Sequence, residues 1–344
     1  MKKLLNTLYV TSPDSYLMLD GENVVIKQNE EIAGRIPLHN LEGIVTFGYT
    51  GASPALMGAC AERNISLSFM KSSGKFLAGI VGVERGNVTL RKTQYRVSDD
   101  AVESAIIARN ILIGKLHNSR WVLERACRDY ALRMDVPRLK DASAEIAGYL
   151  TLLRSAANET DVLRGIEGKA GAVYFSVFDD LILQNKEDFF FKTRNRRPPL
   201  DNVNALLSFM YTIFTNDIAH ALAANGLDPF VGFLHRDRPG RRSLALDMIE
   251  ELRAPVVDRF VLTQINTKQL SASDFHQKEN GEVLIKDDAR KALLSSWQKR
   301  KQEEITHPFL KEKVEWGIVP HIQALLLSRH LRGDLEEYPP FLWK

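Results

Sequence analysis

The feature that most constrains this fold is a change of hydrophobic period close to residue 98. Up to about residue 95 the apolar residues occur in short runs such as "LEGIVTFG" and "FLAGIVG", whose spacing is too short for long helices. From Ser98 onward, the run "AVESAIIARNILIGKLHNSRWVLERACRDYALRM" has helical spacing and contains no proline until Pro137. A strand-rich segment is therefore followed by a helix-rich one.

This division predicts an α+β protein of two domains, because 344 residues exceed the usual limit for a single core. We expect a small β-rich N-terminal domain over residues 1–97 and a larger, mainly α-helical domain over residues 98–344. In the first domain, Asp20-Gly21 separates two apolar runs, which is typical of a tight hairpin turn. Asp100 is the expected N-cap of the long helix that opens the second domain.

Composition excludes several classes of protein. The chain is 44% hydrophobic and 26% charged, and its longer apolar runs are too short to span a bilayer. The N-terminus has no sustained apolar region typical of a signal peptide, so we expect no membrane partner and a cytoplasmic location. Cys60 and Cys127 lie in apolar helical contexts, which favours buried thiols over a disulfide or a zinc site.

The segment "GFLHRDRPGRRSLALDMIEELR" combines a histidine, a basic loop and an acidic helix. A helix with Ser243 as its N-cap would carry four acids within a sector of about 100°: Asp247, Glu250, Glu251 and Asp258. A solvated acidic face is the commoner explanation of such a pattern. His235, however, precedes Asp247 across a loop containing Pro239-Gly240, which can turn the chain back. Imidazole and carboxylate ligands together suit Mn²⁺ or Mg²⁺.

Glu167 in "RGIEGKAGAVYF" is a further candidate acid. Glutamates on helices are usually exposed. Here Gly165 and Gly168 flank the carboxylate, and the bare backbone would permit close approach by another helix or a phosphate. We therefore expect Glu167 to be a candidate metal ligand.

Two arginine clusters form the positive part of the pattern. The net charge is only +3, but locally bunched arginines can bind phosphates bidentately without reading bases. A solubilising loop is the alternative explanation, and we favour nucleic acid. The predicted DNA-binding residues are Arg194, Arg196, Arg197, Arg236, Arg238, Arg241 and Arg242.

Three segments together resemble the signatures of the universal CRISPR-associated integrase and endonuclease family of spacer acquisition. They are "LRGIEGKAGAVYF", "PPLDNVNALLSFMYTIF" and "GFLHRDRPGRRSLALDMIEELRAPVVDRFVL". The resemblance covers essentially the whole chain, and the extended third segment is most similar to the branch that accompanies subtype I-C systems.

The resemblance implies a metal site formed by Glu167, His235 and Glu250, with Asp247 as a catalytic supporter. Many relatives carry aspartate where Glu250 stands, so either Asp247 or Glu250 could make the direct bond, and we favour Glu250. The family further implies Mg²⁺ or Mn²⁺, double-stranded or branched DNA, a homodimer formed through the N-terminal domain, and a small second CRISPR adaptation protein as partner.

The leading hypothesis is a metal-dependent DNA enzyme in which a DNA 3′-hydroxyl, or water, attacks a phosphodiester. One alternative is a non-catalytic DNA-binding scaffold, whose acidic cluster would be only a structural charge network. Another is a phosphoesterase acting on small nucleotides, which would not need so many arginines outside its site. Sensitivity to a chelator separates the enzyme from the scaffold.

Overall fold

The computed structural model describes residues 6–12, 14–29, 31–80 and 88–344, which form two compact units. The first unit contains the described part of Met1–Arg85 together with Ile285–Glu304 and Glu315–Ile318. The second contains the described part of Gly86–Leu284 together with Ile305–Val314 and Val319–Lys344. The mixed α+β class expected from the sequence is confirmed.

Two four-stranded sheets form most of the first unit. In chain order its strands are β1 Thr7–Val10, β2 Ser15–Asp20, β3 Asn23–Gln28, β4 Glu31–Pro37, β5 Gly43–Phe47, β6 Gly51–Ala52, β7 Ser66–Met70 and β8 Phe76–Ile80. One sheet has the order β1-β5-β7-β8, with β8 antiparallel to β7 and the other pairs parallel. The other has the order β4-β3-β2-β6, and only β6 pairs in parallel. The predicted hairpin is confirmed, since Asp20 pairs with Asn23 and Gly21 has φ +56°.

Helix α1, Pro54–Glu62, covers these strands, and buried side chains such as Leu17, Ile44, Leu56 and Leu67 form the core. A helix from the C-terminal third of the chain also belongs to this unit, α9 at Asp287–Gln302. Gln298 Nε2 donates to the Thr7 carbonyl oxygen at 3.0 Å, and Arg290 Nη1 donates to the Ser72 carbonyl oxygen at 2.6 Å. The domain boundary predicted from the sequence, between residues 97 and 98, places this helix in the helical domain instead.

Helices form most of the second unit: α2 Val88–Asp99, α3 Ala101–Asp129, α4 Val136–Ser155, α5 Thr160–Ser176, α6 Asn202–Ala224, α7 Ser243–Leu252, α8 Arg259–Asn266 and α10 Val319–Leu331. Four short strands are β9 Phe275–Gln277, β10 Val283–Ile285, β11 Glu304–Thr306 and β12 Lys313–Glu315. Asp100 caps α3 as predicted, because its carboxylate accepts from the backbone amides of Val102 and Glu103 at 2.9 Å. Helix α3 packs against α4, α5 and α7, so it is the centre of this unit.

A π turn, Arg253–Asp258, joins α7 directly to α8 and contains Pro255. Proline has no backbone N–H, so the carbonyl of Glu251, four residues earlier, loses its usual helical donor. Asn118 Nδ2 of α3 donates to that carbonyl at 2.6 Å instead. The chain therefore continues through the proline, as π turns within helices allow.

Ser243 was expected to be the N-cap of α7, and the structure corrects this by one residue. Arg242 holds the N-cap position without a side-chain bond, while Ser243 is the first helical residue and is buried. Its hydroxyl donates to the Arg236 carbonyl oxygen at 3.3 Å. Both cysteines are free and buried, as predicted. None of the described helices is long and apolar enough to cross a membrane.

Candidate metal centre

The four acids predicted to share one side of a helix are all buried in α7 and the π turn. Asp247 and Glu251 have no exposed surface, and Glu250 and Asp258 are at most 5% exposed. The expectation of a solvated acidic face is therefore wrong. A buried carboxylate is costly unless charges or hydrogen-bond donors surround it, so the partners of each acid determine what it can do.

Asp247 holds the loop that carries His235. Its Oδ2 accepts from the backbone amides of Phe233 and Leu234 at 2.6 and 3.0 Å, and its Oδ1 accepts from the His235 amide at 2.9 Å. Gly232 makes this approach possible, since a Cβ at this position would lie 2.7 Å from Asp247 Oδ2. The sequence "GFLH" thus wraps three consecutive amides around one carboxylate.

Asp247 also orients the imidazole. His235 Nδ1 lies 2.6 Å from Asp247 Oδ1, and because a carboxylate accepts, Nδ1 carries the proton. In the neutral ring Nε2 then presents its lone pair. A carboxylate behind the other ring nitrogen is the usual arrangement of a metal-binding histidine. With its oxygens engaged by four donors, Asp247 fits a supporting role better than that of a direct ligand.

Glu250 is surrounded by positive charge. Its Oε1 accepts from Arg253 at 2.9 Å, and its Oε2 lies 2.7 Å from Lys115 Nζ. Burial by itself would raise the pKa of Glu250, but the charges of Arg253 and Lys115 outweigh burial and lower the pKa to about 2. Glu250 is therefore an anion at every physiological pH.

Lys115 connects Glu250 to Glu167. Its ammonium also contacts Glu167 Oε1 at short range, and Glu167 is the more accessible partner, with 29% of its side chain exposed. Helix α3 brings Lys115 here because it approaches α7 closely: a Cβ at Gly114 would lie 2.9 Å from Glu251 Cβ. The glycines beside Glu167 have a different environment, since a Cβ at Gly165 or Gly168 would meet no described atom within 4 Å. Of the two alternatives, a helix or a phosphate, no helix packs against these glycines in the described part of the chain.

Arg164 ties the helix of Glu167 to the loop of His235. Its Nε donates to the Leu234 carbonyl oxygen at 2.9 Å, and its Nη1 pairs with Asp161 at 2.7 Å on the same helix. Asp161 also accepts from Arg236 Nη2 at 3.1 Å. These bonds fix α5 against the loop, so Glu167 and His235 are held on neighbouring elements.

The donor chemistry of this cluster fits a hard divalent cation. Glu250 Oε2 is buried and is paired with the flexible Lys115 ammonium rather than with a backbone donor, so an oxygen ligand lies close to the His235 imidazole, which is near enough to interact electrostatically with Glu250. Within the described ranges, no three His, Cys, Asp or Glu side chains already form a set that could hold a metal ion. Lys115 lies between two of the expected ligands, Glu167 and Glu250.

The predicted arginines divide into two kinds. Arg194 points inward, where it donates to Asn204 Oδ1 at 2.6 Å and to Ser208 Oγ at 3.0 Å and lies 5.4 Å from the ring of Tyr211. Arg242 donates to Asn216 at 2.9 Å and is half-buried. The exposed group comprises Arg196, Arg197, Arg236 and Arg238.

The two arginine clusters meet at Arg241. Burial, followed by the charges of Arg238, Arg164 and Arg197, lowers the pKa of Arg241. Arg197 belongs to the first predicted cluster and Arg238 to the second, so the two share one surface beside Asp247. We call Arg164, Arg197, Arg238 and Arg241 the positive rim.

Sequence reasoning missed three cations of the site: Lys115, Arg164 and Arg253. Lys115 had a visible signal, because it is the one charge in the apolar stretch "ILIGKL" of a helix that was predicted correctly. A charge within such a stretch indicates a buried partner. Arg164 and Arg253 carry a weaker signal: each follows an acid by three residues, Asp161 and Glu250, a spacing that is also common on exposed helix faces.

The chain belongs to the family of CRISPR-associated protein Cas1, whose family model matches residues 8–299. Two curated relatives match the chain over its whole length. "CRISPR-associated endonuclease Cas1 1" of Chlorobaculum tepidum is 50% identical over 344 residues, with 100% of both chains covered. "CRISPR-associated endonuclease Cas1 2" of Rhodospirillum rubrum is 49% identical over 347 residues, again with 100% of both chains covered.

Solved structures share the fold at low sequence identity. A casposase bound to integration product has a TM-score of 0.84 at 23% identity and covers 98% of this chain and 93% of its own. A CAS1 protein from Thermotoga maritima has a TM-score of 0.82 at 22% identity and covers 95% of this chain and 97% of its own. A chain of a Cas6-RT-Cas1–Cas2 complex has a TM-score of 0.82 at 23% identity, covering 98% of this chain and 36% of its own.

Proposed function

We propose that this chain is a metal-dependent DNA integrase and endonuclease of CRISPR adaptation. It joins the 3′-hydroxyl ends of new spacer DNA to the repeat array by phosphodiester transesterification. The observation that carries the proposal is a buried anion, Glu250, close to a carboxylate-oriented histidine, His235, at the edge of the positive rim. Family membership and the names of the curated endonucleases support the reaction class.

Glu167, His235 and Glu250 are the proposed ligands of Mg²⁺ or Mn²⁺. Such an ion supplies Lewis-acid stabilisation of the charge that develops on a phosphoryl oxygen. Asp247 accepts a hydrogen bond from the Nδ1 proton of His235. This bond fixes the tautomer in which Nε2 has a free lone pair for a metal ion. Arg253 stays paired with Glu250 and keeps that carboxylate ionised. With a DNA 3′-hydroxyl as nucleophile the strands are joined, and with water they are cut.

The positive rim is the proposed site for the DNA backbone. Its guanidinium groups lie close enough together to perturb one another, and repulsion of this kind is relieved when phosphates bind between them. The open glycine face of α5 leaves room beside Glu167 for a backbone to approach. Arg194 and Arg242, which are engaged inside the protein, contribute less than the rim.

The test is a strand-joining assay with a labelled duplex that has free 3′-hydroxyls and a repeat-containing plasmid, in Mn²⁺ or in chelator. We expect product only with the metal, and no product from His235→Ala, while DNA binding stays within about threefold because phosphate contacts supply most of the affinity. His276→Ala is the matched control, since this histidine is exposed outside the site. Binding that is indifferent to metal, without joining under any condition, would support the non-catalytic scaffold instead.

The proposed assembly is a homodimer joined to a small second CRISPR adaptation protein. Support comes from the shared fold with chains of Cas1–Cas2 complexes and from the family itself. Light scattering of the purified protein, alone and with the small partner, tests both contacts: a monomeric mass in both samples would refute them. Assignment to the subtype I-C branch and to the cytoplasm belongs to the same proposal, and the genes beside this one and cell fractionation test these two points.

A further inference from the structure

Lys115 has no role in the proposed ligand set, yet it lies between two members of that set. Its ammonium touches Glu167 Oε1 and lies 2.7 Å from Glu250 Oε2. The lysine side chain is only 14% exposed. A cation therefore already lies between two carboxylates that are expected to bind a different cation.

The charges around these carboxylates are already balanced. Lys115 and Arg253 are two cations facing the two anions Glu167 and Glu250. A divalent ion added to this arrangement would meet repulsion from both side chains in a buried environment, where charges interact strongly. Binding of the metal thus requires one of the two resident cations to withdraw.

Lys115 is the cation that can withdraw. The two side chains are similarly shielded, and their anchoring differs: the Arg253 guanidinium lies 5.0 Å from the Tyr211 ring centroid, and its bond goes to the other oxygen of Glu250. Lys115 is bound through a point charge at the end of a flexible stem, which can swing without breaking a planar fork of bonds. It also contacts both ligand carboxylates, whereas the ion pair of Arg253 is with Glu250.

We propose that Lys115 is an exchangeable counter-cation, which holds Glu167 and Glu250 together in the metal-free protein and must leave both carboxylates when the divalent ion binds. This inference rests on the proposed metal-dependent function. It makes Lys115 a positioning residue that lowers the apparent affinity for metal while it keeps the empty site folded.

The test measures Mn²⁺ binding directly, by electron paramagnetic resonance of the free ion in titrations of the purified full chain. We expect Lys115→Met to bind Mn²⁺ about tenfold more tightly than the wild type, because the competing ammonium is gone. Lys169→Met is the matched control: Lys169 is exposed on the helix of Glu167 and loses the same charge without a contact to either carboxylate. Its affinity should stay within about twofold, since exposed charges are screened. Equal or weaker binding by Lys115→Met overturns the inference.

Two further variants keep the outcome clear. Lys115→Arg retains the charge in a fork that grips carboxylates bidentately, so it should bind Mn²⁺ more weakly than the wild type. An affinity equal to that of the wild type would mean that Lys115 does not compete, even if Lys115→Met failed to fold. Glu167→Gln tests the site itself. If the wild type and Glu167→Gln bind Mn²⁺ equally, the proposed function fails; if Glu167→Gln binds less and Lys115→Met binds no tighter, only this inference fails.

Discussion

Glu250 and Glu251 are neighbours in α7 and equally inaccessible, yet their environments differ completely. Glu250 lies between Lys115 and Arg253, and its pKa falls to about 2. Burial raises the pKa of Glu251 to about 7, because its partners are neutral donors. Those partners are Tyr338 Oη at short range, the Phe341 amide at 2.8 Å and Gln323 Nε2 at 3.0 Å. Burial alone thus does not set the charge of an acid; the identity of its partners does.

The two sides of α7 therefore have separate tasks. The Glu250 side keeps a permanent anion for the candidate site, while the Glu251 side packs α7 against α3 and residues 338–343 through neutral hydrogen bonds. The following substitutions separate a chemical side from a structural side.

The largest expected difference is in activity. Glu250→Gln should reduce strand joining and DNA cutting by at least about 100-fold, because an amide is a poor ligand and several kcal/mol of metal stabilisation are lost. Glu251→Gln should stay within about threefold, since its partners donate and an amide oxygen still accepts. The rate at which joined product forms in Mn²⁺ measures the effect of each substitution. Equal losses in two correctly folded variants would show that the helix has no such division.

The next effect is a pH dependence of stability. The folded-state pKa of Glu251 is raised from 4.5 to about 7, so the folded protein retains a proton that the unfolded chain has released. Stability is therefore lost as pH rises through this window, by about 3 kcal/mol when both pKa values have been passed. Glu250, with its lowered pKa, acts in the opposite sense and only below pH 4.5.

Urea denaturation of the metal-free protein measures this contribution. The unfolding free energy of Glu251→Gln, relative to that of the wild type, should rise by up to ~3 kcal/mol between about pH 5 and about pH 8, because glutamine cannot ionise. Asp258, whose pKa burial raises to about 6, contributes in both proteins and cancels from the difference. A difference that does not vary with pH would mean that Glu251 is ionised in the folded state.

A smaller effect should follow from closing the gap between α3 and α7. In Gly114→Ala the new methyl would lie 2.9 Å from Glu251 Cβ and 3.2 Å from Pro340 Cβ, so we expect a loss of about 1–3 kcal/mol by chemical denaturation. Gly148→Ala in α4 is the matched control, with no described atom within 4 Å of its Cβ. The unfolding free energy of Gly148→Ala should rise by about 0.5–1 kcal/mol, because alanine favours a helix more than glycine does. A loss in both would assign the cost to the backbone rather than to the contact.

The smallest effect concerns one hydroxyl. Tyr338→Phe removes a donor to Glu251 and the group that accepts from Gln323 Nε2 at 2.6 Å. We expect the unfolding free energy to fall by about 1 kcal/mol with strand joining unchanged. Tyr130→Phe, at an exposed tyrosine, should change neither quantity. Loss of joining in Tyr338→Phe would connect the structural side to the chemical one.

Local signals in the sequence predicted local structure well. The change of period, the Asp20-Gly21 turn and the Asp100 cap each depend on a few adjacent residues. Periodicity also predicted four acids within one sector of a helix, although Asp258 lies in the π turn and Glu250 and Glu251 face different partners. It could not tell burial from exposure, because burial depends on α3 and residues 338–343 packing over the helix.

The parts that the sequence did not predict depend on distant partners. Lys115 and Glu250 are 135 positions apart in the sequence, and no helical spacing relates them. The π turn depends on Asn118 replacing the missing donor of Pro255. The three proposed ligands were named from the family resemblance as well as from spacing, and their binding of a metal stays a prediction.

Helix α9 determines when the first unit can finish folding during synthesis on the ribosome. The first unit needs Trp297, which is fully buried, and the bonds from Gln298 and Arg290 to residues near its strands. About 200 residues separate β8 from α9, and at ~5–20 residues per second their synthesis takes roughly 10–40 s. During this interval the strands of the first unit have been synthesised but lack α9, which completes their unit. We therefore expect truncated chains that end before α9 to aggregate or to be held by chaperones, even though they contain every strand of both four-stranded sheets.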